Sequence, residues 1–151
     1  MTDLFRLYSA PQEVPQSVLE EAAAGLAGAL SEHEVICLFG DLGAGKSTFA
    51  RAFLRGCGAL GDIPSPTFTI VQIYDEIGPQ GSDVWHVDAY RLPGPEEAEP
   101  LGLLEALEDA TCLIEWPSKI HALLPTHRID VHLTEASSPS LRTLHIKEVS
   151  P

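Results

Sequence analysis

An α/β fold, a mixed sheet flanked by helices, is predicted by three observations. Val35–Phe39 is a short, continuous apolar run of the kind that forms a strand buried on both faces. Residues 40–45 break it with glycines, and residues 46–54 then have helix-forming composition. A second apolar run, Thr111–Glu115, ends in an acid, as a strand does when it delivers a side chain to a site. The 151 residues are expected to form one domain, 1–151, large enough to bury a core without disulfides or structural metal.

The remaining elements follow in order. Pro11 and Pro15 precede an expected helix, in which Ser17-Val18-Leu19-Glu20 reads as a capping box. Leu19, Ala22, Ala23, Leu26 and Leu30 continue it at helical spacing. Residues 68–74 are rich in β-branched and aromatic side chains and predict a strand. The turn-forming stretch 78–82 separates them from Val84–Asp88, so the two strands should form an antiparallel hairpin. Residues 95–107 are acidic and read as helix, interrupted at Pro100 and Gly102. Ile129, Val131 and Leu133 alternate with polar residues, as do Leu144 and Ile146 beyond the Ser/Pro turn at 137–140; they predict a closing hairpin.

Composition narrows the function. Hydrophobic residues at 44% and charged residues at 21% describe a folded globular chain, not a disordered one. With 9 Lys+Arg against 22 Asp+Glu, the net charge of −13 repels phosphodiester backbone and disfavours tight, autonomous binding to nucleic acid. Cys37, Cys57 and Cys112 lack C-x-x-C spacing and lie beside apolar residues, so they read as reduced, buried hydrophobes. No signal-peptide pattern opens the chain, and no apolar run approaches the roughly 18 residues of a membrane span. A cytoplasmic protein without membrane association is expected.

The chemistry concentrates in Gly40-Asp41-Leu42-Gly43-Ala44-Gly45-Lys46-Ser47, which matches G-x-x-x-x-G-K-[ST]. Glycines there let backbone N–H groups turn inward around a phosphate with no Cβ in the way. Lys46 would reach the β and γ phosphates, Ser47 would give its hydroxyl to magnesium, and the helix would direct its positive end at the anion. Asp41, Leu42, Gly43, Ala44, Gly45, Lys46, Ser47 and Thr48 are therefore the candidate ATP-binding residues. A magnesium–triphosphate site also needs an acid at the end of a neighbouring strand, and Glu115 is the best placed. Ser47 and Glu115 are the candidate magnesium ligands.

Other residues admit two readings. Asp88, ending its strand, would orient water or share the metal, or would simply initiate a turn. Thr67, in Ser65-Pro66-Thr67-Phe68, would sense the γ-phosphate, or would belong to an ordinary proline turn. Trp116 reads first as a core anchor, with a contact surface as the alternative. His86 and Arg91 are candidate partner or phosphate contacts. His33, His121, His127, His132 and His145 lack ligand spacing and read as surface or strand residues. Glu96, Glu97 and Glu99 read as a solvated face.

Taken together, the glycine loop, Ser65-Pro66-Thr67-Phe68, His86-Val87-Asp88-Ala89-Tyr90-Arg91-Leu92 and Ile114-Glu115-Trp116-Pro117 resemble one bacterial family in order and spacing. It is the ATPase subunit of tRNA threonylcarbamoyladenosine biosynthesis, the TsaE (YjeE) family, and the resemblance covers roughly residues 1–135. The resemblance implies a P-loop NTPase fold and weak, partner-stimulated, magnesium-dependent ATP hydrolysis. It implies association with the threonylcarbamoyl-transferase subunit and its companion, the TsaD and TsaB families, with tRNA met only through that complex. Hydrolysis would reset the complex that modifies the adenosine beside the anticodon, without forming the bond itself. Carried onto this chain, Lys46, Asp88 and Thr67 take catalytic positions, Ser47 and Glu115 the magnesium positions, and Trp116 the family's tryptophan position. Ser47 stands where the family usually has Thr. Residues 10–15 depart from the family's segment beside the adenine, so the resemblance assigns no base contact to Glu13.

Two rival readings keep the same loop. A small-molecule kinase needs several basic residues on a lid, and between Asp62 and Glu115 only Arg91 is basic. A nucleotide-binding interaction module without turnover would keep the loop and metal ligands alike.

Overall fold

The computed structural model describes residues 2–41 and 43–150. Leu42, one of the candidate loop residues, lies outside them. The described strands form one sheet: β1 Gln12–Pro15, β2 Val35–Phe39, β3 Val71–Tyr74, β4 Val84–Asp88, β5 Thr111–Glu115, β6 Arg128–Glu135 and β7 Leu141–Val149. Their order is β1-β7-β6-β2-β5-β4-β3. The four central strands β6, β2, β5 and β4 run parallel, and antiparallel pairs close both margins.

The apolar runs are central because helices cover both faces. Ile36 and Leu38 of β2 face a cluster built on α2 (Gln16–Ala29) and α3 (Lys46–Cys57). Val35 and Cys37 face the opposite cluster, with Leu92, Ala98, α4 (Leu103–Asp109) and Ile120. Every residue of β5 is buried, as a parallel strand between two layers requires. Helices α2 and α3 approach closely at Gly56, where an added Cβ would lie 2.9 Å from Ala24 Cα. The mixed sheet between helical layers is a P-loop NTPase fold, with the glycine loop joining β2 to α3.

Several expectations are corrected. Helix α2 begins at Gln16 after an extended Pro15 that makes no side-chain cap, so Ser17 lies inside the first turn and the capping box does not form. The strand expected over 68–74 starts only at Val71. Residues 66–70 turn instead: the Ile70 N–H donates to Pro66 O at 2.6 Å, and Ile70 sits at φ +70°. A β-branched residue rarely takes that left-handed conformation. It is held there because the Ile70 carbonyl accepts from the Asp88 N–H at 2.8 Å.

The acidic segment is a 3₁₀ turn, Pro95–Leu101, followed by α4, with Gly102 at φ +77° between them. Pro100 and Gly102 thus mark the interruption expected of them. Both hairpins form as expected. Short α1, Thr2–Leu7, and edge strand β1 were not anticipated; the Tyr8 carbonyl joins them to β7 by accepting from the Ile146 N–H at 3.0 Å.

Two of the three cysteines match expectation, while Cys57 is only partly buried. Cys37 and Cys112 are buried, and burial pushes both thiols up to about 12 and Cys57 to about 11. Glu96, Glu97 and Glu99 are exposed. Among the described residues, no helix is long and apolar enough to cross a membrane.

Candidate nucleotide site

The glycine loop leaves the C-terminal end of β2 and turns into α3 under tight constraint. A Cβ at Gly40 would lie 2.5 Å from the Leu133 carbonyl oxygen of β6, so only glycine fits that crossing. Gly45 precedes α3 at φ +103°, in the left-handed region. The first N–H groups of α3 are thereby presented at the loop, where the helix dipole favours an anion.

A cavity of about 250 Å³ lies over this loop, lined by Gly43, Gly45, Lys46, Ser47, Thr48, Thr67, Asp88, Glu115, Trp116 and Arg142. A larger cavity, about 550 Å³, lies beside it against Leu38, Gly40, Asp41, Ala44, Trp116 and Leu133. Volume does not choose between them; the convergence of polar and charged groups favours the smaller.

Lys46 is only 5% exposed, and its Nζ has no hydrogen-bond partner among the described residues. It lies 3.4 Å from the centroid of the Trp116 ring. Burial pushes its pKa down, against the opposing pull of Glu115, Asp88 and Asp41. Among the described residues, this buried ammonium has a cation–π contact and the pull of nearby carboxylates but no hydrogen-bond acceptor, so it is short of strong acceptors. Trp116 is half-buried at φ +57° and borders both cavities. Its first reading as a core anchor is therefore corrected: directly after β5, the left-handed turn carries its ring to Lys46 and out of the core.

The two candidate carboxylates are brought together by strand register, since Asp88 of β4 pairs with Glu115 of β5. Both are buried. Asp88 Oδ1 accepts from the Tyr90 N–H at 2.9 Å, so it does initiate a turn. Its Oδ2 meanwhile accepts from the Thr67 hydroxyl at 3.3 Å, on the cavity side. Thr67 Oγ1 is also 2.7 Å from Ser65 Oγ. The turn reading of each residue is thus met, and their hydrogen bond links the turn at 66–70 to the one after β4, with both residues in the cavity lining.

His86 is corrected from a partner or phosphate contact to a buried neighbour of Glu115: its Nε2 lies 2.7 Å from Glu115 Oε2. With the carboxylate ionised, Nε2–H is the donor. The period-2 alternation of β4 placed it on the site side, and no local motif named its partner. Arg91 is exposed, its guanidinium 5.9 Å from the centroid of the exposed Phe68 ring. His33, His121 and His127 are exposed, while His132 and His145 are register partners on β6 and β7, as expected of surface and strand residues.

The residues fit magnesium in the form that accompanies a nucleotide. Among the described residues, no group of three or more His, Cys, Asp or Glu forms a ready cage. Magnesium on a triphosphate does not need one, because phosphate oxygens and water fill most of its octahedron. Ser47 and Glu115 line one cavity and supply a hydroxyl and a carboxylate. Arg142, brought in by β7, was not foreseen; only its cross-strand register, opposite Glu135 and Val14, carries it to the loop.

The family described as threonylcarbamoyl adenosine biosynthesis protein TsaE matches residues 3–144. The chain belongs to the TsaE family. A Haemophilus influenzae relative, named tRNA threonylcarbamoyladenosine biosynthesis protein TsaE, is 42% identical over 100 residues, 66% of this chain and 61% of its own length. A Rickettsia bellii relative of the same name is 43% identical over 112 residues, 74% of this chain and 76% of its own. The matched stretch therefore spans less than two thirds of the Haemophilus relative. The crystal structure of Bacillus subtilis YdiB superposes with a TM-score of 0.72 at 26% identity, covering 93% of this chain and 86% of that one. The resemblance of the motif blocks to TsaE is thus confirmed across nearly the whole chain, and the P-loop fold with it.

Proposed function

We propose that this chain is the ATP-binding and hydrolysing subunit of tRNA threonylcarbamoyladenosine biosynthesis. It acts in the cytoplasm as one P-loop ATPase domain, on the transferase complex rather than on the bond being formed. The observation that supports this reading is Lys46: a buried ammonium without a hydrogen-bond partner among the described residues, at the mouth of a glycine loop. A polyphosphate supplies the acceptors it lacks.

The N–H groups of the loop and of the start of α3 bind the phosphates, together with Lys46. Asp41, Gly43, Ala44, Gly45 and Thr48 form the rest of the cradle. Ser47 and Glu115 would hold magnesium, which when bound supplies positive charge to the phosphate oxygens. Asp88 orients the attacking water from its place beside Glu115, and Thr67, bonded to Asp88, reports the terminal phosphate to the 65–70 turn. The site stabilises charge mainly through Lys46 and the loop, so turnover alone is slow. Contact with the TsaD- and TsaB-family partners completes it, and tRNA is engaged through them.

The test is phosphate release from ATP with and without those two partners and tRNA, beside Lys46→Ala. A slow basal rate, raised by the partners and lost in the variant, is expected. A rate indifferent to the partners, or retained in Lys46→Ala, would refute the proposal.

A further inference from the structure

Arg142 stands where three cavities meet. It borders the phosphate cavity already described, a second of about 340 Å³ against Gly43 and the turn after β6, and a third of about 130 Å³ against Gln16, Gly45 and Thr48. Its stem lies along the loop: its Cγ is 3.6 Å from where a Cβ of Gly45 would be. Its Nη1 donates to the carbonyls of Pro139 and Leu141 at 2.9 and 2.8 Å. These bonds use one nitrogen of a fork that carries five N–H donors, so the guanidinium is fixed while Nε and Nη2 donate to none of the described residues. In a chain of net charge −13 with only 9 Lys+Arg, a cation anchored against the phosphate loop is a feature that needs a reason.

Position says which part of an anion it meets. Thr67, Asp88 and Glu115 reach the cavity from the β4–β5 side of β2. Arg142 enters from β7, on the opposite side of β2, over Gly45 and Thr48. We propose that Arg142 is a nucleotide-binding residue that pairs with the phosphate nearest the nucleoside, and not with the terminal phosphate. This rests on the proposed nucleotide reading of the cavity. It follows that Arg142 contributes equally to binding the diphosphate and the triphosphate. Through Pro139 and Leu141, it also links the turn between β6 and β7 to occupation of the loop.

The experiment is calorimetric titration of ATP and ADP into the full chain, for wild type, Arg142→Gln and Arg142→Lys, at low and high salt. A loss of about tenfold or more is expected for both nucleotides in Arg142→Gln, as for a lost hydrogen bond to a charged group. Arg142→Lys should recover part of it, and the gap to wild type should narrow as salt rises. Unchanged affinity in both variants, or a loss confined to ATP, would overturn the assignment. Equal, salt-independent losses in both variants would overturn it too, because they would mark an arginine that only holds the turn. A wild type that binds neither nucleotide would instead sink the reading of the cavity itself.

Discussion

His86 Nε2 lies 2.7 Å from Glu115 Oε2, with both side chains buried on neighbouring parallel strands. A carboxylate fixed by a buried donor is pre-oriented for a metal. His86→Ala should cost about 1–3 kcal/mol in denaturant unfolding, since it strands a buried charge. It should also weaken Mg–ATP more than ATP in chelator, with partial rescue by His86→Gln. Glu115→Ala should show the same metal dependence. Equal losses with and without magnesium would remove both residues from the metal's surroundings.

Lys46 rests on Trp116, with its Nζ 3.4 Å from the ring centroid. A phosphate that draws the ammonium away changes the field on the indole. In a Trp85→Phe background, Mg–ATP should therefore alter Trp116 fluorescence. Lys46→Ala should shift the emission without nucleotide and lower turnover by at least about a hundredfold. A silent Trp116 in a chain that still binds ATP would mean that the pair stays in contact.

Gly56 is the point where α3 lies against α2. A Cβ there would lie 2.9 Å from Ala24 Cα and 3.0 Å from Ala27 Cβ. Backbone must yield, so Gly56→Ala should destabilise by about 1–3 kcal/mol despite alanine's better helix propensity. Chemical denaturation checks this, and a stabilised variant would show that the helices can separate freely.

His132 stacks on Phe39 with ring centroids 4.6 Å apart and faces His145, Asp130 and Lys147. Burial holds its pKa below the ordinary 6.5, aided by His145 and Lys147 and opposed by Asp130. The folded chain therefore binds fewer protons here than the unfolded chain just below that value. Its contribution to stability is present above about pH 6.5 and is lost as pH falls through the window beneath. His132→Asn should flatten unfolding free energy against pH in that range; an unchanged slope would assign it to other groups.

Much of this was legible because apolar runs and register are local signals. The runs of β2 and β5 could only be central strands, and the loop between β2 and α3 needed its glycines, as the contact of Gly40 with the Leu133 carbonyl shows. Asp88 and Glu115 were found because each ends a strand. The turn at 66–70 was not legible: Phe68, Thr69 and Ile70 have strand propensity, and a long-range bond from the Asp88 N–H overrode it. The role of Trp116 depended on a left-handed φ after β5. Arg142 carried no motif at all; an alternating strand residue becomes a site residue only through the pairing of β7 with its neighbours.

The carboxylates of β4 and β5 are buried in a sheet, whereas Thr67 sits on an exposed turn. The two halves of the cavity therefore differ in entropy. Asp88 and Glu115 surrender almost no freedom when a ligand arrives, because folding has already ordered them. The exposed side chains of Ser65, Thr67, Phe68 and Thr69 keep more of theirs, although Thr67 and Ile70 tie the turn to Asp88, and ordering such groups costs up to about 1–2 kcal/mol per residue. Anything that stiffens this turn from outside raises the closed population without adding a charge or a proton acceptor. An activator of this site can thus be a splint, chemically inert, whose whole effect is to make one short loop lose its freedom in advance.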